Sequence, residues 1–255
     1  MKLGFIGTGK IASSVIKGIC SSKISFAKIL VSPRNKLIAN RLQKNFKKII
    51  IAKNNQEILN NSNWVFLSVT PTVGRKILKE LKFKSNQIII SFISTITLVE
   101  LKKAIKVKAK IIRAIPLPPI SLKKGPVPIC PPNKKVKAFF DKIGTTVEIK
   151  DEKSSINFWS TSGMMAPFYE LLRVMTNWLV KKGVKRNNAQ KYITSLFLAL
   201  SEDAVINSKK DLKYLVKESQ TPKGLNEQGV KELTKLGFYK SLEKTLNSIH
   251  KRLNK

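Results

Sequence analysis

The chain has 255 residues, 42% hydrophobic and 25% charged, which is an ordinary globular balance and enough for one large domain or two modest ones. No apolar run approaches the ~20 residues of a membrane span. Two distant cysteines (Cys20, Cys130) and one histidine (His250) exclude a disulfide scaffold, a zinc site and histidine-driven nucleophilic catalysis. The formal net charge of +34 reads either as polyanion binding or as a compositional bias. The lysines lie in every segment, with no basic tail and no aromatic-interleaved patch. The second reading is therefore preferred, and neither a specific nucleic acid nor a membrane is expected as partner.

The chain opens on a strand, Leu3–Ile6, then a glycine turn and a helix through about Cys20. Further strands are expected at Lys28–Val31, Ile49–Ala52, Trp64–Val69, Gln87–Phe92 and Lys110–Ala114. Helical stretches separate them at Asn35–Asn45, Asn55–Leu59, Val73–Leu81 and Thr97–Ala104. Strands alternating with helices, and strand runs as continuously apolar as IIIS and VFLSV, point to βαβ units in a parallel-rich sheet buried on both faces. Seven of the eleven prolines fall between Ile115 and Asn133, which predicts a stiff connection with one short strand at Pro126–Cys130. A helix at Asn133–Ile143 and a strand at Thr145–Ile149 follow, and the charged Lys150–Lys153 run marks a boundary. Beyond it the pattern is helical. Phe158–Val180 is apolar nearly all round, as in a core or a subunit interface. Ala189–Val205 and a last helix carrying Leu242, Leu246, Ile249 and Leu253 show helical spacing. The expected division is residues 1–152 and 153–255.

The sharpest motif is Gly7-Thr8-Gly9-Lys10-Ile11-Ala12, a G-x-G-x-x-A between the first strand and the first helix. Gly7 allows the tight turn, Gly9 lets the backbone approach a pyrophosphate, and Ala12 lets helix and sheet pack closely. The phosphates would then sit on the helix N-terminus, where unpaired N–H groups and the dipole favour anions. The sequence therefore predicts a Rossmann-type nucleotide domain. An NAD site places Asp or Glu at the end of the second strand; this chain has Val31-Ser32-Pro33-Arg34-Asn35. A hydroxyl and a guanidinium suit a 2′-phosphate, so Ser32, Arg34 and Asn35 predict NADPH, with NADH as second choice. The Ser68-Val69-Thr70-Pro71 turn ending the fourth strand should lie over the cofactor.

With these segments placed, the chain resembles pyrroline-5-carboxylate reductase nearly end to end. LGFIGTGKIASSVIKGI matches the family's opening, Ser68–Pro71 stands at its Ala-Val-Lys-Pro turn, and Arg113-Ala114-Ile115-Pro116 at its Arg-x-Met-Pro. Ser162-Gly163 matches the start of its Ser-Gly-Ser-Gly-Pro segment, and Thr221-Pro222-Lys223-Gly224 with Gly229 its Ser-Pro-Gly-Gly-Thr-Thr…Gly stretch. The resemblance implies an all-helical C-terminal dimerisation domain, a homodimer or higher oligomer, and reduction of a small imino acid by NADPH in proline biosynthesis. The substrate residues depart from the family: Leu117-Pro118-Pro119 replaces Asn-Thr-Pro, Met164 and Met165 interrupt the Ser-Gly segment, and Leu225 and Asn226 replace two threonines. A site built on hydroxyl donors changes its preference when they are lost.

Imine reduction suits this inventory, because a protonated imine is already electrophilic and needs no strong protein acid. Thr161 and Ser162 are the candidate hydroxyl donors, Asn226 a polar contact, and Glu227 an acid or iminium stabiliser. The alternatives are a related reductase of another imine or a ketone, and an inactive dinucleotide sensor. A β-hydroxyacid dehydrogenase is disfavoured, since no G-x-x-x-N-x-x-K occurs after residue 154. With a strand rather than a leader at the N-terminus, the expected address is the cytoplasm.

Overall fold

In a computed structural model, which describes residues 1–254, the chain divides into two compact units, Met1–Phe158 and Trp159–Lys255. The first unit alternates β1 (Lys2–Ile6), α1 (Lys10–Cys20), β2 (Lys28–Val31), α2 (Lys36–Asn45), β3 (Ile49–Ile51), α3 (Asn55–Asn61), β4 (Trp64–Leu67) and α4 (Pro71–Glu80). It continues with β5 (Ile88–Ser91), α5 (Leu98–Ile105), β6 (Lys110–Ala114), a 3-10 turn at Pro118–Leu122, β7 (Pro126–Cys130), α6 (Lys134–Phe140) and β8 (Thr145–Glu148).

The eight strands form one sheet in the order β3-β2-β1-β4-β5-β6-β7-β8, parallel throughout except for the antiparallel β6–β7 pair. Strand order reverses between β1 and β4, which is the switch point where doubly wound sheets bind ligands. Apolar layers cover both faces. Leu3, Phe5 and Phe66 face α1 and α6; Ile6, Val65 and Leu67 face the opposite way, toward α3, α4 and α5. Phe5 and Phe66 stack at 4.4 Å on neighbouring strands. Helix starts follow local chemistry. Asn54 accepts the N–H of Glu57 at 2.9 Å, Thr97 and Glu100 form a capping box, and Asn133 caps α6.

The proline-rich stretch differs from its expectation in one respect: a turn of 3-10 helix survives at Pro118–Leu122. Its two prolines occupy the first positions, where an N–H has no partner to lose. The short strand at Pro126–Cys130 forms and lies inside the sheet. Pro128 contributes only its carbonyl, which accepts the N–H of Ile115 at 3.0 Å.

The helical stretch that starts near the unit division is α7 (Ser155–Ser162), α8 (Met165–Lys181), α9 (Arg186–Ile206), α10 (Lys213–Glu218), α11 (Leu225–Lys235) and α12 (Phe238–Leu253). The Phe158–Val180 run is two helices rather than one, broken at Gly163-Met164. Pro167 is the cause: within one helix its ring would meet the carbonyl of Gly163, whereas in the first turn of α8 it is tolerated. Nor is α8 buried within the chain, for Phe168, Val174 and Trp178 are 41%, 53% and 59% exposed. No described helix is long and apolar enough to cross a membrane.

Candidate functional site: a nucleotide cradle at the switch point

β1 delivers the glycine turn to the carboxyl edge of the sheet. Gly7 adopts a φ of +97°, and a Cβ there would meet the Ser68 carbonyl oxygen at 2.3 Å, so only glycine fits. Gly9 differs. Its φ of −92° suits any residue, and a Cβ would meet no protein atom within 4 Å. The space beside Gly9 is open, at the head of α1, whose first N–H groups take no side-chain cap. A side chain would fill a cradle of the shape a pyrophosphate needs.

A cleft of about 500 Å³ surrounds this point. Of the residues expected from sequence, Gly7, Thr8, Gly9, Arg34, Asn35, Ser68, Val69 and Thr70 line it. Lys10 and Ile11 begin α1, Ala12 is fully buried against the sheet, and Pro71 begins α4. Thr70 stands at the N-cap of α4 without spending its hydroxyl on the helix.

Ser32 is 3% exposed. Its Oγ accepts the Gly7 N–H at 2.9 Å and lies 2.6 Å from Asn55 Oδ1, to which it donates. Thr8 Oγ1 donates to the Ser32 carbonyl at 2.7 Å. These bonds tie the turn after β1 to the end of β2 and the start of α3. Asn35 accepts the Ile38 N–H and so caps α2. The cations along the cleft are therefore Arg34 and a residue the sequence reading passed over, Lys36. Val73 and Asn55 were passed over too. Lys36 is simply the next residue of the same basic loop, a signal open to reading. Asn55 carries none, because its role depends on where α3 begins.

The second unit holds the other expected residues. Thr161 and Ser162 end α7; Thr161 borders an apolar cleft of about 810 Å³ with Met164, Phe168, Val174, Phe238 and Leu242. Asn226 and Glu227 open α11 and are not among its walls. Asn226 Nδ2 donates to the Ser219 carbonyl at 2.8 Å. Glu227 accepts from Lys231 Nζ at 2.7 Å and from the Lys223 N–H at 2.6 Å. The lysine bond and the backbone bond hold its carboxyl below the usual range, so it is an anion at neutral pH. Leu225, where the resembled family has a hydroxyl, is 86% exposed.

Residues 2–95 match the family model described as "NADP oxidoreductase coenzyme F420-dependent", and residues 157–255 match "Pyrroline-5-carboxylate reductase dimerisation"; together they span about three quarters of the chain. A curated pyrroline-5-carboxylate reductase from Synechocystis is 27% identical over 99% of this chain and 97% of its own length. The chain is thus similar to pyrroline-5-carboxylate reductases along nearly its whole length, and its C-terminal part matches the dimerisation model of that family. Among solved structures, the 1-pyrroline-5-carboxylate reductase of Streptococcus pyogenes superposes with a TM-score of 0.82 at 24% identity, covering 99% of this chain and 98% of that one. The pyrroline carboxylate reductase of Plasmodium falciparum, solved with NADP bound, gives 0.84 at 21%, covering 99% and 97%. These two agree with the fold described above. The two matches together make the chain an oxidoreductase of the NADP-dependent class.

Proposed function

We propose that this protein uses NADPH to reduce the C=N bond of a small cyclic imino acid, with 1-pyrroline-5-carboxylate as leading substrate and L-proline as product. The observation that carries the reading is the open space at Gly9, at the head of α1 and beside Arg34 and Lys36. The turn of Gly7, Thr8 and Gly9 and the first N–H groups of α1 would hold the pyrophosphate, and the two cations a 2′-phosphate. When bound, the reduced nicotinamide supplies a hydride to the electrophilic carbon. Val69 and Thr70, over the end of β4, border its path. Thr161, Ser162 and Asn226 are the proposed polar contacts of the substrate carboxylate. Asn226 keeps one amide N–H beyond the bond to Ser219. Glu227, held as an anion, has no proton to give at neutral pH and would act on a cationic iminium only by its charge.

Residues 1–152 form the proposed nucleotide domain and 153–255 the substrate and dimerisation domain. The exposed apolar residues of α8, and the name of the family model that matches there, support a homodimer or higher oligomer. The cytoplasm is the proposed location, with neither nucleic acid nor membrane as a specific partner. A second reading, reduction of a different imine or of a ketone, is favoured by Leu117, Met164, Met165, Leu225 and Asn226 at positions where the family carries other residues.

The test mixes purified protein with NADPH and a panel of pyrroline-5-carboxylate, pyrroline-2-carboxylate and piperideine carboxylates while absorbance is followed. Oxidation with pyrroline-5-carboxylate supports the first reading; oxidation with the others alone supports the second. Tight NADPH binding without turnover on any of them would overturn the first reading and favour a dinucleotide sensor.

A further inference from the structure

At the carboxyl ends of β5 and β6 a buried arginine pairs with a partly exposed glutamate, an ion pair that the reading above does not use. Arg113, 5% exposed, stands on β6 opposite Ser91 of β5. Its guanidinium donates to the Ser94 carbonyl, in the loop leaving β5, and to the Glu152 carboxylate. Glu152, in the segment after β8, accepts the N–H of Leu98, the first residue of α5, on its two oxygens at 2.8 and 3.0 Å. The loop 92–97 is thus held at its middle by Arg113 and at its exit by Glu152. Arg75 on α4 adds a bond to the Thr95 carbonyl at 3.2 Å, and Thr97 closes the capping box with Glu100.

Where this loop lies gives the pair its meaning. In a doubly wound sheet of this order, one mononucleotide half of a dinucleotide lies over β1–β3 and the other over β4–β6. The adenine half belongs to the glycine turn and the Arg34–Lys36 loop, so the nicotinamide half falls on the side of β4, β5 and β6. The loop after β5 and the end of β6 are walls of that side. Burying a guanidinium is costly unless it is paired, and well-packed apolar residues often serve stability as well. A paired charge at this edge, bonded to a loop carbonyl and a helix N-terminus, is suited to fixing backbone position.

We infer that Arg113 and Glu152 are positioning residues for the reduction: they fix the 92–97 loop on the nicotinamide side of the cofactor without touching it. The inference rests on the NADPH reading above. The test compares R113M, R113K and E152Q in the full chain. It measures kcat, KM for NADPH and the dissociation constants of NADPH and of 2′,5′-ADP, which carries the adenine half alone. The expected result is unchanged 2′,5′-ADP affinity, weaker NADPH binding and a kcat lowered about 10- to 100-fold in R113M, as small misplacements cost at reacting centres. R113K and E152Q, which keep part of the bonding, should fall between R113M and the parent. Parallel loss of 2′,5′-ADP affinity and thermal stability would reduce the pair to a structural role and overturn the inference, as would unchanged NADPH binding and kcat. Should R113M fail to fold, R113K and E152Q carry the same comparison. A parent protein that binds NADPH but turns nothing over would remove the reductase reading, yet the NADPH to 2′,5′-ADP affinity ratio would still decide the role of the pair.

Discussion

The two units solve the burial problem differently. Residues 1–158 enclose two apolar layers, one on each side of the sheet, with Phe5, Phe66, Phe140 and Leu3 fully buried. From Trp159 onward only Ala189 and Ile193 are buried apolar residues among those described, while Trp178, Leu200, Leu212 and Leu236 are more than half exposed. A sheet of eight strands can cover both its faces with helices from its own crossovers. Helices α8 to α12 leave apolar residues exposed, a surface that a second copy of the chain would cover in the oligomer proposed above. The nucleotide cradle thus stands on the self-sufficient unit. The proposed substrate residues stand on the unit whose apolar residues stay exposed.

Four experiments bear on this contrast. The largest expected effect is from Phe66→Ala, which removes a fully buried ring stacked on Phe5. It should cost about 3–5 kcal/mol in chemical denaturation. A cost below ~1 kcal/mol would mean that this core is not filled as described. Val174→Asp places a charge at a 53% exposed position of α8. Sedimentation should show a smaller species, with stability lowered by about 2–4 kcal/mol in a concentration-dependent way through lost association. An unchanged sedimentation coefficient would break the comparison. Gly9→Ala should weaken NADPH binding by about tenfold or more, equivalent to ~1.4 kcal/mol, measured by titration calorimetry. Its cost to folding should stay under about 1 kcal/mol, because the backbone is ordinary there and the new methyl meets no protein atom within 4 Å.

The smallest effect concerns pH. Chiefly the Thr97 backbone N–H, with help from the Thr97 hydroxyl and Arg75, holds the Glu100 carboxyl below its ordinary 4.5. A depressed folded value makes its stabilisation complete above 4.5 and lost as the pH falls through the folded value. Glu100→Gln should therefore lower stability by less than about 1 kcal/mol at neutral pH, since the side chain is partly solvated. The gap between the two proteins should close in acid, as read by thermal melts across that range. A gap that widened in acid would reverse the sign of the capping interaction.

Much of the first unit was readable from periodicity alone. Lys28–Val31 and Lys110–Ala114 are strands with the bounds expected of them, and the continuous apolar character of β4 and β5 reports burial on both faces. The glycine turn was readable because its chemistry is local: a positive φ at Gly7 and a missing side chain at Gly9 follow from neighbouring residues. The break at Gly163 is obscured by the apolar periodicity that runs through it, although Pro167 signals it. The inward turn of Ser32 was missed because its partner Asn55 lies 23 residues on.

Composition, spacing and the glycine pattern thus determined a parallel-rich nucleotide fold with a helical sequel, since each depends on contacts within a few residues. Tertiary structure alone decided the antiparallel entry of β7, the burial of Ser32 and the pairing of Arg113 with Glu152, 39 residues away. Bonds between distant segments are set by how elements pack, and no local pattern of residues records which distant partner each will meet.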